Sequence, residues 1–243
     1  MSIQPTDFVC DFAIRNRNAI PLFERLGIDY CCGGQRPLEE ACAEAGLDAG
    51  SIIEELSRTS EAAQLADLTV KPLAEICAYI CSHHHTITTN ELERLGALAE
   101  KVVNRHGPNH PELAQVHAAF VRLEGDMRPH MLKEENVLFP FIARLEGELA
   151  SGSTPTAPFF GTVQNPIRMM LAEHDVVADL LRELRALTGG FDVPEDGCTS
   201  YRALYDGLSA FELLTHEHIH IENNILFPRS VELESHALHL VRG

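Results

Sequence analysis

The chain has 243 residues, 45% of them hydrophobic, enough for one substantial domain and a small one. Tryptophan is absent and aromatics reach only 6%, while Ala, Leu and Glu abound, a composition typical of helical proteins. With 36 acidic against 19 basic residues the formal charge is −17, which disfavours nucleic acid and anionic membrane surfaces as partners. No apolar run approaches a membrane span, and "MSIQPTDF" lacks the basic-then-apolar pattern of a signal peptide, so the expected location is the cytoplasm. Seven cysteines form an odd count without framework spacing, which favours free thiols over structural disulfides.

In chain order, residues 1–62 read as short helices around "FVCDFAIRNRNAIPLFERLG" and "PLEEACAEAG", interrupted by "DYCCGG". This unit is small for independent stability, so docking on the rest of the chain or on a partner chain is expected, and a homodimer stays open. A polar linker at 63–71 leads to Pro72, a helix-start signal. From there to Val103 the pattern is one long helix, and "NRHGPNHP" separates it from a second that starts at Glu112. The Gly/Ser/Thr/Pro-rich "GELASGSTPTAPFFGTVQNP" reads as a loop, and the third helix from Ile167 stops at Gly189-Gly190. A fourth begins near Cys198. Four long amphipathic segments with short connections predict an all-α, antiparallel four-helix bundle over 72–243.

An internal repeat carries the chemistry. "HMLKEENVLFP" (130–140) and "HIHIENNILFP" (218–228) share His, Glu four later, Asn at the seventh position and a terminal Leu-Phe-Pro. Each copy has an upstream histidine, His85 lying 45 residues before His130 and His174 lying 44 before His218. Residues four apart share a helix face, so His130 with Glu134, and His218 with Glu222, can each grip an ion, with a carboxylate oxygen left for a neighbouring ion. Imidazole with carboxylate suits iron, zinc or manganese and excludes a soft thiolate site. One such pair alone is usually a surface feature. Two copies with the same apolar flanks are not, because burying them without a metal would leave costly unpaired polar atoms. Pro129 precedes His130 inside the second helix and removes the bond to the Gly125 carbonyl, which predicts an accommodated kink, not a helix end.

With these motifs on the page, residues 72–230 resemble a hemerythrin-like di-iron bundle. Together with "DYCCGG", nearly the whole chain resembles the repair-of-iron-centres di-iron proteins. The resemblance implies two non-haem irons, oxo- or hydroxo-bridged when oxidised, each with two histidines and with Glu134 and Glu222 bridging. Periodicity alone leaves His84 and His85 both open; the "PLAEI" register shared with the family selects His85 and makes His83 and His84 surface or supporting groups. His216 and His220 face away from the ligand stripe and read as solvent-facing or supporting. Glu173, before His174, matches an acidic family position that would relay protons or escort iron, against the plain reading of an exposed glutamate. The implied function is nitrosative and oxidative stress response: repair of damaged iron–sulfur clusters, with nitric oxide or dioxygen as small ligand. Reduction of nitric oxide to nitrous oxide and iron donation are both open, and iron–sulfur proteins or an electron donor are the implied partners. The alternative is a reversible oxygen or nitric-oxide carrier or sensor of hemerythrin type. Cys31 and Cys32 can close only a strained, easily reduced ring, which suits a thiol that donates electrons or meets a partner; two inert packed thiols are the plain alternative.

Overall fold

The computed structural model describes residues 4–16, 18–58 and 65–242. Residues 59–64, where the small domain was expected to end and the linker to begin, lie outside them. The described residues contain no strand, only an isolated bridge between Phe8 and Pro37. The helices in order are α1 (Val9–Arg15), α2 (Ala19–Leu26), α3 (Leu38–Glu44), α4 (Ala49–Arg58), α5 (Leu65–Leu68), α6 (Leu73–Tyr79), α7 (Thr86–His106), α8 (Glu112–Lys133), α9 (Phe139–Ala150), α10 (Gln164–Leu187), α11 (Thr199–Ile221) and α12 (Phe227–Arg242). The chain divides into two compact units, one of Met1–Ile76, Leu145–Pro155 and Ile219–Gly243, the other of Cys77–Arg144 and Thr156–His218.

The second unit is the helical bundle. Its long rods bury one stripe each at helical spacing: Leu92, Leu95, Ala99 and Val102 on α7; Val116, Phe120, Leu123 and Met127 on α8; Met170, Val177, Leu181 and Leu184 on α10; Leu204, Leu208 and Phe211 on α11. Each large apolar side chain so buried contributes about 1.5–3 kcal/mol of transfer free energy. α8 runs unbroken through Pro129, as expected of an accommodated proline. α10 ends where the sequence put its stop, at Gly189 (φ 61°) and Gly190 (φ 81°), left-handed conformations that glycine adopts without steric cost. The last turn is tied by Thr188 Oγ1, which accepts the Phe191 N–H at 3.0 Å.

Among the described residues three π-helical turns interrupt otherwise continuous rods: Ile80–His85, Glu134–Leu138 and Glu222–Leu226. No residue pattern announces them. Each inserts one residue into the helical register, and such turns are common at functional sites. Side chains take up carbonyls near the first two, with Thr86 Oγ1 donating to Cys81 O at 3.1 Å and Asn136 Nδ2 donating to Leu132 O at 2.7 Å.

In the first unit α1, α2 and α3 pack Val9, Ala13, Ala19, Phe23, Leu38 and Cys42 into a small core. The "DYCCGG" loop is fixed by Asp29, whose Oδ1 accepts the N–H groups of Cys31 (3.0 Å) and Cys32 (2.9 Å). Gly34 is required by close approach, because a Cβ there would lie 2.3 Å from the Tyr30 carbonyl oxygen.

Candidate metal centre

Three rods and the first π turn bring the histidines together. The ligand-type atoms of His85, Glu134 and His218 gather in one set and those of His130, Glu134 and His174 in another, with no atom of a set more than 4.8 Å from its fellows. Glu134 belongs to both. Its side chain is 0% exposed, Oε2 lies 3.3 Å from His85 Nε2, and Oε1 lies 3.4 Å from His130 Nε2. Neither carboxylate oxygen has a hydrogen-bond partner. A fully buried carboxylate so placed is costly unless a cation compensates it.

The far nitrogens of two histidines explain the near ones. His85 Nδ1 is 2.7 Å from Glu135 Oε1, and His130 Nδ1 is 2.9 Å from Glu173 Oε2. A carboxylate on Nδ1 draws the ring proton there and leaves a lone pair on Nε2, aimed inward, which is the usual outer support of a metal-bound imidazole. His130 Nε2 also faces His174 Nε2 at 3.1 Å, a pairing that converging lone pairs on an ion make sensible. The donor set therefore fits a borderline metal such as iron. Glu222 occurs one turn beyond His218 on the same rod and is buried.

Glu173 is no exposed surface residue. It is half-buried, clamps His130 with one oxygen and accepts from Lys133 Nζ with the other. Burial works against its ionisation, yet the bonds from Lys133 and His130 prevail and hold its carboxyl below the ordinary value. His83 is exposed, as expected of a surface group. His84 is buried and stacks on His218 with centroids 5.3 Å apart, so of the two readings left for it, surface or supporting, the surface one is excluded. The first π turn is why periodicity could not separate it from His85. His220 is likewise no solvent-facing group: it is buried and bonds through Nδ1 to the Tyr30 carbonyl at 3.1 Å. Burial pushes its pKa down to about 4, against the raising effect of that bond.

Cys31 and Cys32 carry no disulfide, Cys31 being buried and Cys32 half-buried. The loop is held by its backbone. Cys31 O accepts from Asn223 Nδ2 at 3.3 Å and from Asn224 Nδ2 at 3.1 Å, both residues of the third π turn. The hydrogen bond with Cys32, then burial, raise the Cys31 thiol well above its ordinary value. Sequence reasoning missed Glu135 and Asn223, whose only signal was adjacency to the two repeat glutamates, and gave Asn224, the shared seventh position of the repeat, no role of its own.

The family model for the hemerythrin HHE cation binding domain matches residues 78–230. The chain belongs to the hemerythrin family. A second model, ScdA_N, a domain of unknown function (DUF542), matches residues 6–60, which include Cys31 and Cys32. The chain is also similar to the iron-sulfur cluster repair protein YtfE of Yersinia pseudotuberculosis serotype IB (strain PB1/+), at 35% identity over 91% of this chain and 95% of that protein. The YtfE of Yersinia pestis (strain Pestoides F) shows the same identity over the same shares. All six proposed histidine and glutamate ligands fall within the hemerythrin match. No helix among the described residues is long and apolar enough to cross a membrane.

Proposed function

We propose that this protein is a non-haem di-iron protein of the nitrosative and oxidative stress response, acting in the cytoplasm in repair of damaged iron–sulfur clusters. The observation that carries the reading is Glu134, buried without hydrogen bonds between two imidazoles whose far nitrogens are held by carboxylates. The names of the YtfE relatives supply the cluster-repair part. In this reading His85 and His218 would hold one ion and His130 and His174 the other, with the Glu134 carboxylate available to both and Glu222 in the same role by its place in the repeat.

Two iron ions bound there would supply electrons and open coordination positions for small diatomics such as nitric oxide. The chain's own residues do the rest. Glu135 and Glu173 fix the tautomer and orientation of His85 and His130, and His84 packs against His218 to hold its ring. Lys133 balances the charge of Glu173. Cys31 and Cys32, in a domain over residues 1–62 joined through 63–71 to the bundle of 72–243, serve as thiols that donate electrons or meet the damaged partner.

The test is metal analysis after iron-replete expression, followed by anaerobic mixing of the reduced protein with nitric oxide. About two irons per chain are expected. One metal per chain, or zinc alone, overturns the di-iron reading. Nitrous oxide with iron retained identifies reduction, whereas iron passed to an apo iron–sulfur protein identifies donation. Reversible binding with neither selects the carrier alternative.

A further inference from the structure

At the α7/α11 end of the bundle, a second cluster of reactive side chains forms on residues that the metal centre does not use. Cys198, immediately before α11, is the exposed cysteine of the chain; Cys10, Cys31, Cys42 and Cys77 are buried and Cys32 and Cys81 half-buried. His106, the last residue of α7, places Nε2 3.2 Å from Cys198 Sγ. The backbone N–H groups of Tyr201 and Ser200, in the first turn of α11, favour the anionic form of that sulfur. The surroundings are built, not loose. His110 Nε2 bonds to the Asp196 carboxylate at 3.0 Å and Nδ1 to Glu112 at 3.1 Å. The Tyr201 ring meets both imidazoles edge-on, with centroids 5.3 Å from His106 and 5.6 Å from His110.

We propose that Cys198, paired with His106, is a reactive thiolate that forms mixed disulfides reversibly with low-molecular-weight disulfides. The thiol first loses its proton to solvent, and His106 Nε2–H donates to the resulting sulfur anion. That sulfur attacks one sulfur of a small disulfide: a bond from Cys198 Sγ forms, the original S–S bond breaks, and the departing thiolate takes up a proton. Cys198 is oxidised and one sulfur of the reagent is reduced. The nearby acids Asp196 and Glu112 are both engaged by His110, whose pKa Asp196, and then Glu112, raise despite some desolvation, so a protonated His110 offsets part of their charge beside the anion. The Tyr201 N–H, then His106, lower the Cys198 pKa from 9.0 to about 7. None of this depends on iron.

Selectivity follows from the competition between ionisation and nucleophilicity. At pH 7 the lowered value gives about 50-fold more thiolate than an ordinary thiol, and the weaker nucleophile gives back about tenfold of that. A net advantage of about fivefold remains. The experiment treats the full-length protein with oxidised glutathione across pH 5.5–9 and reads each cysteine by peptide mass spectrometry. Adduct on Cys198 is expected first, with a rate midpoint near pH 7, and about fivefold faster at that pH than on the same residue in the urea-unfolded chain. His106→Ala should move the midpoint upward, and Cys198→Ser should abolish the fast adduct while leaving iron content unchanged. A folded-state profile that coincides with the unfolded one overturns the proposal. So does adduct elsewhere with Cys198 spared, or an unmoved midpoint in a folded His106→Ala variant. Should that variant not fold, the folded-versus-unfolded comparison of the natural chain decides alone.

Discussion

In the first copy of the repeat, Glu135 follows Glu134 and its carboxylate holds His85 Nδ1 at 2.7 Å; in the second, Asn223 follows Glu222 and its amide donates to the Cys31 carbonyl at 3.3 Å. The next position diverges in the same way. Asn136 donates to the carbonyl of Leu132 in its own helix, whereas Asn224 reaches Cys31 O. Both copies open a five-residue π turn at the glutamate, so the local backbone is the same and only the use of the neighbouring side chains differs. The repeat keeps the histidine and glutamate positions in register, while the residue after each glutamate takes a separate task. One copy supports a histidine of the centre, and the other anchors the double-cysteine loop.

The hardest test of this equivalence is removal of the glutamates themselves. Glu134→Ala should empty or uncouple the centre, taking metal content from about two ions per chain to below one, because both sets of ligand atoms share that carboxylate. If the copies are equivalent in metal binding, Glu222→Ala should lose a comparable amount. Metal analysis beside circular dichroism separates this loss from unfolding. Retention of both ions in the Glu222 variant would break the symmetry and leave Glu134 as the sole bridge.

How much of this was legible in the sequence depended on distance along the chain. The rods, the glycine stop of α10 and the pairing of His130 with Glu134 are local patterns of helical period, and all could be read directly. The choice of His85 over His84 could not, because the π turn at Ile80–His85 adds a residue and puts both side chains in the interior. Glu135 on His85, fifty positions apart, and the asparagines on Cys31, more than 190 apart, are tertiary pairings that no periodicity encodes. The His106–Cys198 contact belongs to the same class. Histidines without a repeating neighbour leave no trace of their partners in one sequence.

The division of labour after each glutamate is sharpened by crossing two variants. Glu135→Ala removes the acceptor on His85 Nδ1 and should weaken metal affinity about 10- to 100-fold, the usual cost of losing an outer support of a metal-bound imidazole. The Cys32 alkylation rate should stay unchanged. Asn223→Ala with Asn224→Ala should do the reverse, keeping the metal and freeing the loop. Two net hydrogen bonds of about 1 kcal/mol each predict at least a tenfold rise in Cys32 alkylation if the loop opens locally. Metal titration and thiol labelling on the same samples check both arms. Loss of metal in the double-asparagine variant would show that the second copy's neighbours support the centre as well.

The smallest expected effect concerns the residue before each repeat histidine, Pro129 in the first copy and the buried Glu217 in the second. A proline inside a helix lacks the N–H that would bond to the carbonyl four residues back and crowds that carbonyl, at about 3 kcal/mol in an unadapted helix. Here that carbonyl belongs to Gly125, a residue with the backbone freedom to tilt it away, and α8 continues through to Lys133. Much of the cost is therefore already relieved, and Pro129→Ala should stabilise the metal-free protein by only about 1 kcal/mol, or about 2–4 °C in Tm for a domain of this size. Gly125 supplies the control. A Cβ at that position meets nothing within 4 Å, so Gly125→Ala should gain helix propensity, about 0.5–1 kcal/mol, once position 129 is alanine. With Pro129 in place the same change should gain less or destabilise, since the glycine is what lets the carbonyl yield. Thermal unfolding of the two single variants and the double measures that coupling. Additive effects would mean that glycine and proline are independent, and that α8 accommodates Pro129 through its packing instead.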